Sequence, residues 1–339
     1  MECLYGGIDL HSNNSVVAIV DAQGKKIFGR RLVNDLARIE QCFAVYREQL
    51  CGVAIESTFN WYWLVDGLMD RGYHVHLANT TAIEQYNGLK HTDDDSDAEY
   101  LANLLRLGIL PEGYIYPKEE RAVRDLLRKR AHLVRQRTMN ILSIQNLVQR
   151  STGAPIKSDR IRQCTPEQLA EMVVNADVGL SLAATSRVRA FLDTEIHAIE
   201  RHILGRVKLR PEFIKLNTIP GVGDILGLTV MLEAGQIGRF HGVGNFASYC
   251  RCVDSRKLSN FKKKGTGNVK NGNKYLAWAF VEAAHFAIRH SPAIRRFHER
   301  KKARTNGIVA IKTVAHKLAR AAFYILRDQV SFDVQRAFG

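Results

Sequence analysis

Two short apolar runs, each closed by a carboxylate, constrain this chain more than any other feature. Leu4-Tyr5-Gly6-Gly7-Ile8 leads into Asp9, and Gly52-Val53-Ala54-Ile55 leads into Glu56. Runs of this length ending in an acid read as buried strands that present a side chain at their C-terminal edge. Further on, Asp94 and Asp97 open a predicted helix that continues Ala98-Glu99-Tyr100-Leu101-Ala102. Positions i and i+3 share a helix face, so both carboxylates can turn toward one site. Each acid also has an ordinary reading. A strand-end Asp is commonly a turn residue, and Asp93-Asp94-Asp95 could serve only as a helix cap. The order Asp, Glu, Asp-x-x-Asp favours a single site, and four hard oxygen donors suit Mg²⁺ or Mn²⁺ rather than zinc.

The flanking pattern is that of an α/β sheet. Residues 4–10, 14–20 and 25–31 read as a three-stranded meander, with Asp21-Ala22-Gln23-Gly24 as a turn. A helix over 35–49, a strand at 52–56, a helix near 60–71, a strand at 74–77 and the acidic helix at 95–107 follow. Three strands and then alternating helix and strand is the order of an RNase H-like sheet. In that order the first and fourth strands are neighbours, which brings Asp9 and Glu56 together. From Pro117 to about Lys208 the pattern is helical, broken at Ser151-Thr152-Gly153-Ala154-Pro155. Leu127, Val134, Ile141 and Val148 recur every seven residues, which predicts a helical hairpin or a coiled coil between subunits. Arg121, Arg124, Arg128, Arg130, Arg135 and Arg137 accompany that stripe and read as phosphate contacts rather than a wet face alone.

Charge points to a polyanionic partner. The chain of 339 residues carries +15, and residues 251–339 hold 20 Lys and Arg against 5 Asp and Glu, the same excess. Such concentration argues for a nucleic-acid surface rather than a general solubilising charge. No stretch approaches the roughly 20 apolar residues of a membrane span, so no membrane partner is expected. The six cysteines lack zinc-ligand spacing and read as reduced thiols of a cytoplasmic protein. Ile219-Pro220-Gly221-Val222-Gly223 precedes an apolar helix from Ile225 to Ala234, like a helix-hairpin-helix turn in which the amides of Gly221 and Gly223 meet a phosphate. Arg256, Lys257, Lys262, Lys263, Lys264, Lys270 and Lys274 lie in a Gly- and Asn-rich segment that reads as a flexible, phosphate-binding loop. The aromatics of the helix after it, Tyr275 to Arg289, read as core.

Taken together these segments resemble the Asp-Glu-Asp-Asp transposases of insertion sequences, the IS one-ten family, which includes Piv-type DNA invertases and bridge-RNA-guided recombinases. The matching residues are Gly7-Ile8-Asp9-Leu10-His11, Ile55-Glu56-Ser57-Thr58, Asp94-Asp95-Ser96-Asp97-Ala98 and Ile219-Pro220-Gly221-Val222-Gly223. They continue with Phe246 to Arg251, Ser255 to Asn260 and Gly267 to Leu276. The resemblance implies a RuvC-like metal-binding domain over 1–115, a coiled-coil segment over 116–208 and a mainly α transposase domain over 209–330. It also implies a nucleophilic serine. Ser259 is the closest position, although Asn260 stands where the family has Gly, and Ser255 competes with it. On this reading Asp9, Glu56, Asp94 and Asp97 hold Mg²⁺ or Mn²⁺, and Ser259 forms a covalent link to DNA. The implied partners are donor and target DNA, a structured guide RNA encoded by the element, and further subunits making a dimer or tetramer. The implied location is the bacterial or archaeal cytoplasm, at the nucleoid. The alternative is a metal-dependent nuclease of the junction-resolvase type, in which the same acids activate water and the serine has no role.

Overall fold

The strand-forming runs of the N-terminal third pair into one mixed sheet. In the computed structural model, residues 3–83, 94–207, 209–254, 257–259, 262–265 and 271–339 are described, and the chain divides into two compact units, Met1–Lys118 and Glu119–Gly339. The first unit contains β1 (Leu4–Leu10), β2 (Asn14–Val20), β3 (Lys26–Val33), α1 (Leu36–Ala44), β4 (Leu50–Glu56), α2 (Tyr62–Asp70), β5 (Val75–Ala78) and α3 (Asp94–Arg106). The sheet order is β3-β2-β1-β4-β5. β1, β2 and β3 pair antiparallel, whereas β1 with β4 and β4 with β5 pair parallel. This is the strand order expected of an RNase H-like sheet. The predicted helix over 35–49 stops at Ala44, and Val45 to Gln49 return to β4 through turns.

Alternation along the strands sorts side chains between two faces. Ile8, Leu10, Val17, Ile19, Val53 and Ile55 join Ile39, Phe43, Leu64 and Leu68 of α1 and α2 in one core. The intervening residues are small: Val16 and Ala18 pack with Ala98, and Ala54 and Ala78 with Leu101, both on α3. Gly7 belongs to this second face, and a Cβ there would overlap the Ala98 carbonyl oxygen of α3. The absence of side chains at Gly7 is therefore what lets α3 cross β1 so closely.

The second unit is mainly helical: α4 (Lys118–Thr152, opening at the unit boundary), α5 (Ser158–Gln163), α6 (Pro166–Ala170), α7 (Ala176–Val207), α8 (Pro211–Leu216), α9 (Asp224–Ala234) and α10 (Val243–Tyr249). A hairpin of β6 (Lys257–Ser259) and β7 (Lys262–Gly265) follows, then α11 (Lys274–His290), α12 (Pro292–Arg304), α13 (Gly307–Asp328) and α14 (Val334–Phe338). α9 is buried from Leu226 to Ala234, as a helix apolar on all sides must be. It shares its core with Phe246, Phe280, Leu318 and Phe323. The second helical run, expected from about Pro166 to Val207, is broken into two pieces, α6 and α7, with Thr165 and Gln168 forming a capping box at α6.

α4 and α7 run antiparallel within the chain, tied by Arg130–Glu200 at 2.6 Å and Arg137–Asp193 at 3.0 Å. Ile141 and Val148 of the heptad stripe, with Ile144 between them, pack with Ile161, Leu169 and Leu182. Among the described residues, no helix is long and apolar enough to cross a membrane. One expectation about the thiols is corrected: Cys3 and Cys51, at the matching ends of β1 and β4, are joined as a disulfide. Cys250 and Cys252 are free, and burial pushes their thiols up, Cys252 to about 12.

Candidate functional site

Parallel pairing sets Ile8 opposite Ile55, so the next residues, Asp9 and Glu56, are neighbours at the C-terminal edge of the sheet. Both alternate onto the α3 face, because they lie two residues beyond Gly7 and Ala54. Asp9 is 4 % exposed, and Glu56 is half-buried. Burial raises the Glu56 carboxyl to about 8; a hydrogen bond with Asp9 and the negative charges of Asp9 and Asp97 push the same way. Asp97 thus belongs to the same electrostatic site, on the exposed side of α3 one residue before the Ala98 that covers Gly7. Asp94 is the first residue of α3. Of its side chain nothing is described.

His11 was not singled out by spacing, yet its Nε2 lies 3.2 Å from Asp9 Oδ2. The turn that carries it is held by two amides, for Asn34 Nδ2 and Asn60 Nδ2 both donate to the His11 carbonyl at 3.0 Å. Ser15 and Thr58 orient those amides in turn. Asn34 and Asn60 are polar residues in loops, a signal too common to have marked them in the sequence.

The donor set fits a hard divalent cation. Among the described residues Asp9 Oδ2 is buried and receives no hydrogen bond. Asp9 and Glu56 crowd together in a way that a cation would relieve. No group of three or more His, Cys, Asp or Glu side chains converges as a complete metal cage among the described residues.

In the second unit, Ser259 ends β6 opposite Lys262 of β7, at the tip of the hairpin. The backbone alone is described for Ser259, Lys257 and Lys263, while Ser255, Arg256 and Lys270 lie outside the described residues. Lys262, Lys264 and Lys274 are exposed. The expectation of a flexible loop is corrected in part, since 257–259 and 262–265 pair as a ribbon. Gly221 has φ +85, and a Cβ on it would overlap the α11 backbone at Ala283 and Ala287, so it serves close packing. Gly223, at the N-terminus of α9, has open space around it.

The arginine reading is also corrected. Arg121 and Arg124 are buried, Arg130 and Arg137 pair with α7, and Arg128 grips Glu233 through Nε at 2.6 Å and Nη2 at 2.7 Å. Glu233 is 1 % exposed and also accepts from Asn273 Nδ2 at 2.7 Å. Burial opposes the charge on Arg128, but the Glu233 carboxylate outweighs it and the guanidinium is raised. Asn273 caps α11 through its Oδ1, and its backbone N–H donates to Tyr249 O, so this network fixes where the hairpin's C-terminal side rejoins the core. Phe280 is core as expected, whereas Trp278 and Phe286 of α11 are exposed.

Comparison with known proteins matches both ends of this arrangement. Residues 6–152 match the transposase family DEDD_Tnp_IS110, and residues 215–299 match the transposase IS116/IS110/IS902 family. The chain belongs to the IS110 family of transposases. This IS110-family transposase is 25 % identical over 296 residues to the transposase for insertion sequence element IS1111A of Coxiella burnetii, covering 84 % of this chain and 78 % of that one. It is also 25 % identical over 169 residues to the insertion element IS110 uncharacterized 43.6 kDa protein of Streptomyces coelicolor. That match covers 49 % of this chain and 40 % of the relative. The first family match spans Asp9, Glu56, Asp94 and Asp97, and the second spans Gly221, Gly223 and Ser259. Family membership makes this IS110-family transposase an enzyme that cuts and rejoins DNA.

Proposed function

We propose that this transposase moves its element by site-specific recombination through a serine–DNA covalent intermediate. The observation that carries the reading is the pairing of Asp9 with Glu56 at one sheet edge, with Asp97 close enough to act on Glu56. Asp9, Glu56, Asp94 and Asp97 of the RuvC-like unit would hold Mg²⁺ or Mn²⁺. A cation bound there supplies charge neutralisation at the scissile phosphate. The Ser259 hydroxyl attacks the phosphorus, loses its proton to a neighbouring base, and displaces the deoxyribose oxygen as leaving group. The phosphodiester energy is kept in the phosphoserine bond, so rejoining needs no nucleotide triphosphate. Exposed Lys262, Lys264 and Lys274, with Arg256, Lys257, Lys263 and Lys270 along the same segment, would neutralise DNA or RNA phosphates, and Gly223 offers its amide to another.

A structured RNA encoded by the element would select donor and target by base pairing, the protein reading RNA shape and backbone. Several strand ends must be exchanged, which calls for a dimer or tetramer at the nucleoid in the cytoplasm. Met139 and Leu142 on α4 and Leu180, Val188 and Phe191 on α7 are exposed apolar residues that support an intersubunit contact along these helices. The test is to trap protein–DNA adducts and map them by mass spectrometry. The expected result is an adduct on Ser259, abolished by Ser259→Ala with nucleic-acid binding nearly intact. An adduct on Ser255, or cleavage products with no adduct, would overturn it; the second outcome would establish the hydrolytic junction-resolvase reading.

A further inference from the structure

Between α13 and the segment 330–337 lies a solvent-open cavity of about 640 Å³. That is within the roughly 300–1,000 Å³ of sites that take small ligands. Lys317, Arg320 and Tyr324 recur at three- and four-residue spacing along one face of α13, with His316 beside them, and all four line it. Arg336 and Phe332 face them from the opposite wall. The acid in the wall, Asp333, is already committed: its carboxylate caps α14, accepting from the backbone N–H of Gln335 at 2.8 Å and of Arg336 at 3.2 Å. Lys317 Nζ donates to the Ala337 carbonyl at 2.7 Å, tying the C-terminal helix across the floor. Among the described residues neither Arg320 nor His316 makes a hydrogen bond or ion pair. The cavity therefore combines an excess of positive charge, Lys317, Arg320 and Arg336 against Asp333, with two aromatic rings, and it uses none of the residues assigned to metal, serine or the lysine hairpin.

Cations beside aromatic surfaces suit a nucleotide: the phosphate meets the charge, and the base lies on a ring whatever its identity. A base inside a duplex is stacked between its neighbours and cannot reach such a wall unless it is extruded. We propose that this cavity holds one nucleotide of an unpaired strand, its phosphate against Arg320, Arg336 and His316 and its base against Tyr324 and Phe332. Burial, and then the neighbouring Arg320 and Lys317, already hold the His316 imidazole below its usual range, and a bound phosphate would relieve that repulsion.

The test uses the full chain and an oligodeoxythymidylate of about 12 nucleotides, within the span of single-strand sites, carrying one photoreactive 5-iododeoxyuridine. Irradiation and peptide mass spectrometry should place the adduct on Tyr324 or Phe332. Arg320→Ala, an exposed position whose loss leaves the core untouched, should lower that adduct about fivefold or more, the worth of roughly one nucleotide contact. The same base in a duplex should give little adduct there. Adducts confined to peptides outside 313–337, equal yield from the duplex, or no effect of Arg320→Ala would each overturn the proposal. Displacement by free thymidine monophosphate as effective as by unlabelled oligonucleotide would overturn the strand assignment and leave a mononucleotide site. None of these readouts depends on strand joining or on Ser259.

Discussion

Asp9 and Glu56 each supply the negative charge that the other must tolerate, and this fixes how the metal-free protein responds to pH. The folded Glu56 carboxyl titrates at about 8, above the roughly 4.3 of an unfolded Glu. Between those values the native state holds a proton that the unfolded chain releases, so stability is full below the lower value and falls as pH rises through the upper one. Glu56→Gln, with chelator present, should therefore be more stable than the parent at pH 8.5. The gain should be about 1–2 kcal/mol, kept small because the group is half exposed and screened by solvent. Thermal melts should show that difference vanishing near pH 4; a difference constant with pH would refute it. Arg128 is a different kind of residue, since it neutralises a carboxylate that is almost fully buried. Arg128→Ala should cost about 3 kcal/mol or more in urea unfolding, the usual result of stranding a buried charge. Arg128→Lys should fall between, because an ammonium cannot reproduce the two-point grip. A loss well below 1 kcal/mol for Arg128→Ala would mean that Glu233 is satisfied without it, by Asn273 and its other surroundings.

At the scale of elements, the site depends on how closely α3 can approach β1. The small residues Gly7, Ala18, Ala54 and Ala78 make a flat bed for that helix. Gly7→Ala should push α3 away at Ala98, costing about 1–3 kcal/mol as overpacking does. It should also weaken Mg²⁺ binding by calorimetry, because Asp97 moves with the helix. Unchanged Mg²⁺ affinity in a destabilised Gly7→Ala protein would separate Asp97 from the site. The strands and helices around this bed were legible in the sequence, from the apolar run Val16 to Val20 and the apolar runs before Asp9 and Glu56. The fates of the α4 arginines were not. Arg128 meets a carboxylate 105 residues away and Arg130 one 70 residues away. A helix wheel shows a charged face but not which later helix will lie across it.

At the scale of the whole molecule, charge is divided between the two units. Residues 1–118 hold 10 Lys and Arg against 16 Asp and Glu, a net of −6. Residues 119–339 hold 39 against 18, a net of +21. The acidic unit is the one with the carboxylate pair, where excess negative charge favours a divalent cation. The basic unit is the one suited to phosphates. A 119–339 fragment, which has its own core around α9, α11 and α13, should retain nearly all of the salt dependence of nucleic-acid binding. Its slope of log K against log salt should stay within about 0.9, one phosphate contact, of the full chain's. A slope that collapses on removing residues 1–118 would place the main phosphate contacts in the first unit instead.

The strand order, the strand-end positions of Asp9 and Glu56, the helix carrying Asp94 and Asp97, and the basic character of residues 251–339 were all readable from the chain before folding. These follow from local periodicity and composition, which act over a few residues and survive without knowledge of distant partners. Long-range packing set the rest. It brought the charge of Asp97 within reach of Glu56 on a helix that Gly7 lets approach β1, turned His11 toward Asp9 with two loop amides, and folded part of the lysine segment into a hairpin. It also spent most of the α4 arginines on carboxylates and packing rather than leaving them for phosphates. Each of these outcomes depends on which surfaces meet after folding, and long-range packing sets that, beyond the reach of any local pattern.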